Sequence, residues 1–316
     1  MTQLFNLMVE VMMPLGLLVA AGAFWPRFFA DAEVAVLRMQ LNRLVMYVFY
    51  PCILFAVSAT TPINRDLLSV PLLVGIGTLV SGVLLYVLLY VLPIWRLSDA
   101  TRASLMLAGM FGNTFNIGVP VLIFFYGREA TRYAVFNDML MTMPLVWSLG
   151  VWIATRLGSH DKSTKHPAVW RVMLAMPPIW AFVLGTGSQL LDLTYAPLVN
   201  ASRFIGQATI PVILFVLGLT IPWRRLAPRP EILGAAAVKL LATPLIVWAI
   251  VHAFYDRPGE AQFASVVEGA TPSMMTALLL ADRFRLDSAA AALLIGWSTI
   301  LFWVTLPVLM ALGLVR

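Results

Sequence analysis

Long apolar stretches alternate with short polar connections along the whole chain of 316 residues. A helix needs about 20 mostly apolar residues to cross a lipid bilayer. The pattern therefore predicts an all-α integral membrane protein with ten transmembrane helices. Their approximate bounds are 5–25, 38–60, 69–93, 102–126, 132–155, 171–190, 201–222, 231–254, 261–282 and 288–314.

The fourth and ninth spans are interrupted by polar and small residues near mid-membrane. The fourth contains 112–114 (Gly-Asn-Thr) and 117–120 (Ile-Gly-Val-Pro), and the ninth contains 269–273 (Gly-Ala-Thr-Pro-Ser). Proline removes a backbone donor and glycine weakens a helix. Irregular backbone at membrane depth is tolerated only where protein buries it or a wet cavity adjoins it. We predict a binding site where the two breaks, at Pro120 and Pro272, cross.

A polar linker at 156–167 leaves five spans on each side, so the predicted halves are 1–158 and 159–316. Because five is odd, two related halves must insert in opposite orientations. Inverted repeats of this kind are common in secondary transporters. The sequence favours a repeat, because 51–55 (Pro-Cys-Ile-Leu-Phe) in the second span resembles 211–215 (Pro-Val-Ile-Leu-Phe) in the seventh.

Composition excludes a soluble protein and charge predicts the orientation. Hydrophobic residues make up 61% of the chain and charged residues 11%, against roughly 25% charged in a soluble domain. Of the 21 Lys and Arg residues, fourteen fall on one predicted side and six on the other. The side with more Lys and Arg should be cytoplasmic. This places both termini on the outer side of the cell membrane and the linker in the cytoplasm. Because the basic residues are scattered over short loops, no nucleic-acid partner is predicted.

Enzyme and metal signatures are absent from the sequence. The single cysteine, Cys52, excludes a disulfide framework and any multi-cysteine metal site. No zinc-protease, phosphate-loop or dinucleotide motif occurs. The first apolar run has no preceding Lys or Arg, which argues against a cleaved signal peptide. We expect neither catalysis nor a cofactor or resident metal, with sodium or proton coupling as the open alternatives.

Asn113 and Asn116 are the leading candidates for substrate contacts. They are three residues apart and would share one face of a helix. The alternative role is hydrogen bonding between membrane helices. Half-helix N-termini carry partial positive charge and free donors, which suits a carboxylate. The predicted substrate-binding set is Asn113, Asn116, Gly118, Pro120, Asn137, Thr271, Pro272 and Ser273.

Three charged residues inside spans are candidates for charge balance or ion coupling, because intramembrane charges are costly. Lys239 either faces inward, where it adds positive potential to an anion pathway or pairs with an acid, or snorkels to the interface. Glu268 either couples a proton or cation, or is a carboxylate at the outer start of a helix. Asp138 is predicted near the outer end of the fifth span, where it could line the same cavity.

The sequence resembles the auxin efflux carrier family along its whole length. The resemblance rests on 41–43 (Leu-Asn-Arg) followed by Pro51, on the motifs at 112–120, on 211–218 and on Pro272. It implies a fold like that of the PIN carriers and bile-acid symporters, with two inverted five-helix repeats. Helices 1, 2, 6 and 7 (about 5–60 and 171–222) would form a scaffold able to make a homodimer. Helices 3–5 and 8–10 (about 69–155 and 231–314) would form a transport domain.

The same resemblance implies a function. Asn113 matches the family asparagine that meets the substrate carboxylate, and Lys239 falls where some members carry a basic residue. The expected activity is secondary transport of a small organic anion, a mono- or dicarboxylate, by elevator-like movement. One alternative is a sodium-coupled organic-anion symporter of the bile-acid-carrier type, with Glu268 near the cation. The other is a membrane sensor that binds a ligand without moving it.

Overall fold

The computed structural model describes residues 2–92, 94–157, 171 and 174–315. The described part is helical and contains no strand, which confirms the all-α prediction. Beyond Leu157, the predicted linker at 156–167 lies outside the described residues. The helical segments are α1 (Leu4–Arg27), α2 (Asp31–Ser58), α3 (Arg65–Val91), α4 (Asp99–Met110), α5 (Thr114–Tyr126), α6 (Arg128–Arg156), α7 (Pro177–Leu190), α8 (Ala196–Thr220), α9 (Pro230–Phe254), α10 (Glu260–Gly269), α11 (Thr276–Arg283) and α12 (Ser288–Ala311).

Seven of the described helices, α1, α2, α3, α6, α8, α9 and α12, are long and apolar enough to cross a membrane. The remaining ones are shorter. α4 and α5 follow each other across a break, as do α10 and α11. Buried apolar side chains form two large clusters, one containing Leu54 and Phe136 and the other containing Leu107 and Phe111. The protein is thus a multi-pass membrane protein.

The break in the predicted fourth span does not lie at Pro120. Helical geometry stops after Met110 and resumes at Thr114, so the interruption is at 111–113. Pro120 instead lies inside α5. The predicted interruption around Pro272 is correct, since α10 ends at Gly269 and α11 begins at Thr276.

A widened turn explains why Pro120 does not break its helix. A π-helical turn at Thr114–Gly118 ends two residues before it. Proline clashes with the carbonyl four residues earlier, and a π turn displaces that carbonyl. The same arrangement precedes four other prolines, with π turns at Leu7–Met12, Val45–Phe49, Asp138–Thr142 and Val238–Ala242 before Pro14, Pro51, Pro144 and Pro244.

Glycines permit two close helix contacts, one between α1 and α8 and one between α7 and α2. A Cβ on Gly22 of α1 would collide with the carbonyl oxygen of Phe215 in α8. A Cβ on Gly185 of α7 would lie 2.7 Å from the carbonyl oxygen of Phe55 in α2. Phe55 and Phe215 each follow their proline, Pro51 and Pro211, by four residues. α1 therefore packs on α8 as α7 packs on α2.

Candidate functional site

The two breaks meet and satisfy each other's backbone. Gly112 and Ser273 form an isolated antiparallel bridge. The backbone N–H of Asn113 donates to the carbonyl of Pro272 at 2.7 Å, and that of Met274 donates to the carbonyl of Phe111 at 3.1 Å. This pairing supplies the partners that unwound backbone needs at membrane depth.

Gly112 lies where the two breaks touch, and its surroundings leave little room for a side chain. A Cβ there would lie 2.5 Å from the Thr271 hydroxyl oxygen and 3.0 Å from Lys239 Nζ. A side chain at this position would therefore require the Thr271 hydroxyl and the Lys239 ammonium to shift.

A cavity of about 170 Å³ lies against this crossing. Its lining includes residues 112–116, at the start of α5, and residues 274–276, at the start of α11. Two helix N-termini therefore border the same space. The first backbone N–H groups of a helix lack partners within it and carry partial positive charge. The cavity thus has two positive helix ends in its wall, which favours an anion.

The predicted asparagines lie in this wall. Asn113 is 5% exposed, and Asn116 Nδ2 donates to Asn113 Oδ1 at 2.8 Å. That bond uses one of the two acceptor positions of the Asn113 amide oxygen, while the NH₂ group of Asn113 makes no hydrogen bond among the described residues. An NH₂ group suits a carboxylate oxygen. Asp138 also lines the cavity.

The other residues of the predicted substrate set surround the crossing without lining the cavity. Thr271 Oγ1 donates to the Glu268 carbonyl at 2.7 Å, and Ser273 N donates to Ser298 Oγ at 3.1 Å. A Cβ on Gly118 would lie 2.8 Å from Glu268 Oε1. Pro120 borders a separate crevice beside Glu10. Gly118, Pro120, Asn137, Thr271, Pro272 and Ser273 are thus absent from the described lining of the cavity.

Lys239 and Glu268 lie behind the crossing and are fully enclosed. Lys239 is 2% exposed and its Nζ donates to the carbonyl of Gly269 at 2.9 Å, so it does not snorkel. Glu268 is 0% exposed and accepts from Asn137 Nδ2 at 3.1 Å. It is the penultimate residue of α10, so it is not a helix-start carboxylate. The ammonium lies at a helix C-terminus, where partial negative charge stabilises it.

Several cavity residues were missed by the sequence reasoning. Arg38, Asn42, Met46 and Tyr50 line the cavity from α2. Their spacing of four residues places them on one helix face, and that periodicity could have identified them. Asp282, Met274 and Met275 also line the cavity from the second break and α11.

Comparison with known proteins identifies the family. A family model described as membrane transport protein matches residues 7–310. The chain belongs to this family, the auxin efflux carriers. Because these proteins are transporters, the protein is a membrane transporter and not an enzyme. The family assignment also argues against the sensor alternative.

Relatives of this auxin efflux carrier family member come from archaea and a plant. An uncharacterized transporter of Methanothermobacter thermautotrophicus is 29% identical over 276 residues, which cover 84% of this chain and 86% of the relative. An uncharacterized transporter of Methanocaldococcus jannaschii is 26% identical over 264 residues, which cover 78% of this chain and 80% of the relative. The protein PIN-LIKES 7 of Arabidopsis thaliana is 36% identical over 108 residues, which cover 32% of this chain and 26% of the plant protein.

Proposed function

We propose that the protein is a secondary transporter that carries a small organic anion, a mono- or dicarboxylate, through the cavity at the crossing. The observation that carries the proposal is the convergence of two helix N-termini and the Asn113 amide on one cavity. Donors and positive helix ends at a break in a membrane helix are typical of anion sites in transporters.

The size of the cavity supports a small substrate. Pockets for drug-sized ligands measure roughly 300–1,000 Å³, whereas this cavity measures about 170 Å³. A carboxylate of a few carbon atoms fits that space better than a steroid-sized anion. Size therefore favours the small carboxylate over a bile-acid-like substrate.

We further propose ten membrane crossings in two inverted repeats and elevator-like movement of the transport domain. The matching contacts of α1 on α8 and α7 on α2 support the repeat. They also support a scaffold made from these four helices. α3–α6 and α9–α12 would then move together past the scaffold and carry the crossing with them.

In the proposed orientation both termini are outside the cell membrane and the linker is cytoplasmic. The exposed cavity residues Arg38 and Asp282 lie towards the predicted cytoplasmic side, so this conformation would face inward. Cysteine labelling tests the orientation in a Cys52→Ala background. A membrane-impermeant maleimide should label Glu129→Cys in intact cells and Asp99→Cys only after permeabilisation. The reverse pattern would contradict this orientation.

Uptake into proteoliposomes tests the transport function. The purified protein is reconstituted and presented with radiolabelled acetate, malonate, malate or indole-3-acetate, with choline as a cationic comparison. Sodium and proton gradients are imposed separately. We expect uptake of at least one small carboxylate, and none of choline, above protein-free liposomes. Uptake that requires sodium would support the bile-acid-carrier alternative, and no carboxylate uptake under any gradient would contradict the proposed function.

A further inference from the structure

Asp138 is a buried acid in the wall of the proposed anion cavity. It is 4% exposed and lines the cavity with Asn113 and Asn116. The Tyr50 hydroxyl donates a hydrogen bond to its Oδ2 atom. The Tyr50 ring is itself 6% exposed and meets the edge of Phe115 with centroids 4.7 Å apart. The hydroxyl from α2 and the carboxylate from α6 are thus held beside the first turn of α5.

The groups that surround Asp138 leave its negative charge without a direct cationic partner. Tyr50 faces it from α2, Glu268 of α10 interacts with it electrostatically, and Lys239 of α9 interacts with Glu268. No Lys or Arg of the described residues forms an ion pair with Asp138. Arg38 and Asp282 lie at the exposed part of the cavity. They contribute charges of opposite sign there.

Charge counting shows what anion binding would require. When ionised, Asp138 and Glu268 are two buried negative charges, and Lys239 is one buried positive charge. An anion at Asn113 would add further negative charge in the cavity that Asp138 lines. Like charges repel strongly in a low-dielectric interior, and unpaired charge is costly within a membrane. Protonating one carboxylate offsets in full the charge that a bound monocarboxylate adds, and half of the charge that a bound dicarboxylate adds.

We propose that Asp138 takes up one proton from solution whenever the cavity binds its anion, so that proton and anion cross the membrane together. The proposal rests on the proposed transport function and names its coupling ion. The proton binds a carboxylate oxygen of Asp138 on one side of the membrane and returns to solution on the other. Tyr50 is a positioning residue that holds the ionised carboxylate in the unloaded cavity.

Asp138 is the favoured acid because of its location. Glu268 lies behind the crossing, has Lys239 as a nearby counter-charge and does not line the cavity. Asp138 shares the cavity with the anion. Its negative charge therefore opposes anion binding more directly than the charge of Glu268 does.

Proton flux in proteoliposomes tests the proposal on the wild-type protein. Radiolabelled malonate is the probe, an internal pH dye reports protons, and valinomycin with potassium clamps the membrane potential. We expect an inward proton gradient to drive malonate above its equilibrium level, and malonate addition to acidify the lumen. Malonate uptake that is indifferent to the gradient and moves no protons would overturn the coupling while leaving the transport function standing. No uptake of any carboxylate would instead contradict the transport function itself.

Two variants locate the proton site. Asp138→Asn should lose gradient-driven accumulation but keep exchange of external for internal malonate, because a neutral side chain imitates the protonated acid. Tyr50→Phe keeps the ring on Phe115 but removes the donor to the ionised carboxylate. It should therefore raise the pH at which uptake is half-maximal.

Exposed residues of the same types supply the controls. Tyr47→Phe on α2 and Asp66→Asn on α3 should behave as wild type. Gradient-driven accumulation retained in Asp138→Asn would overturn the assignment. If that variant fails to fold, an unchanged pH profile in Tyr50→Phe would overturn it instead.

Discussion

Lys239 and Glu268 show how single residues make the crossing possible. The Lys239 ammonium binds the carbonyl of Gly269 at 2.9 Å, at the C-terminal end of α10. It also interacts electrostatically with the buried Glu268 carboxylate. The positive side chain lies at a negative helix end, while the positive helix ends border the cavity on the other side. The positive charge of one lysine therefore offsets both the partial negative charge of the helix end and the negative charge of Glu268.

Removing that lysine should destabilise the fold. Lys239→Met leaves the Glu268 charge buried without its counter-charge, which should cost about 3 kcal/mol or more. Adding Glu268→Gln removes the stranded charge, so the double variant should recover much of this loss. Thermal unfolding in detergent measures both, with exposed Arg257→Met as the surface control. A double variant as unstable as Lys239→Met would show that the two residues are not coupled.

The positions of the polar residues at the break were predictable from local sequence, while their substrate roles stay predictions. Asn113 and Asn116 stood out because polar side chains beside glycine and proline are conspicuous in an apolar span. The contact between Tyr50 and Asp138 was not predictable, because it joins residues 88 positions apart. Likewise, sequence left the environment of Lys239 open, since only packing decides whether a lysine at that depth reaches the interface.

At the scale of elements, the breaks follow from glycine and from crossing contacts more than from proline. Pro120 indicated the correct span but the wrong position for the break. The π turn before Pro120 accommodates the proline within the helix. The break at 111–113 is stabilised by backbone hydrogen bonds to the second break. The second break lies about 160 residues away in the sequence. Local propensity could not reveal such a partner.

Helix contacts through glycine should be sensitive to a single methyl group. Gly22→Ala places a Cβ against the Phe215 carbonyl, and Gly218→Ala places one against the Val19 carbonyl. Because backbone atoms cannot rotate away, each should cost about 1–3 kcal/mol or more. Among the described residues nothing lies within 4 Å of a Cβ on Gly187. Gly187→Ala should therefore unfold at the wild-type temperature or slightly above, and equal losses in all three variants would contradict the close contacts.

At the scale of the whole molecule, the hydrophobic pattern predicted an all-α membrane protein, and the family match confirms that it is a transporter. Each predicted span overlaps a described helix or half-helix pair. The inverted repeat and the elevator movement stay predictions. They are supported by the paired glycine contacts and by the meeting of the two breaks at Gly112 and Ser273.

Malonate binding to an Asn113→Ala variant in detergent tests the central claim, that the cavity at the crossing holds a carboxylate. Asn113 presents its amide donor to the cavity, and hydrogen bonds to charged groups contribute about 1.5–3 kcal/mol. We predict a Kd raised by about tenfold or more, with an unchanged unfolding temperature and with wild-type binding in the exposed-surface control Asn200→Ala. An unchanged Kd in a folded Asn113→Ala protein would contradict the account.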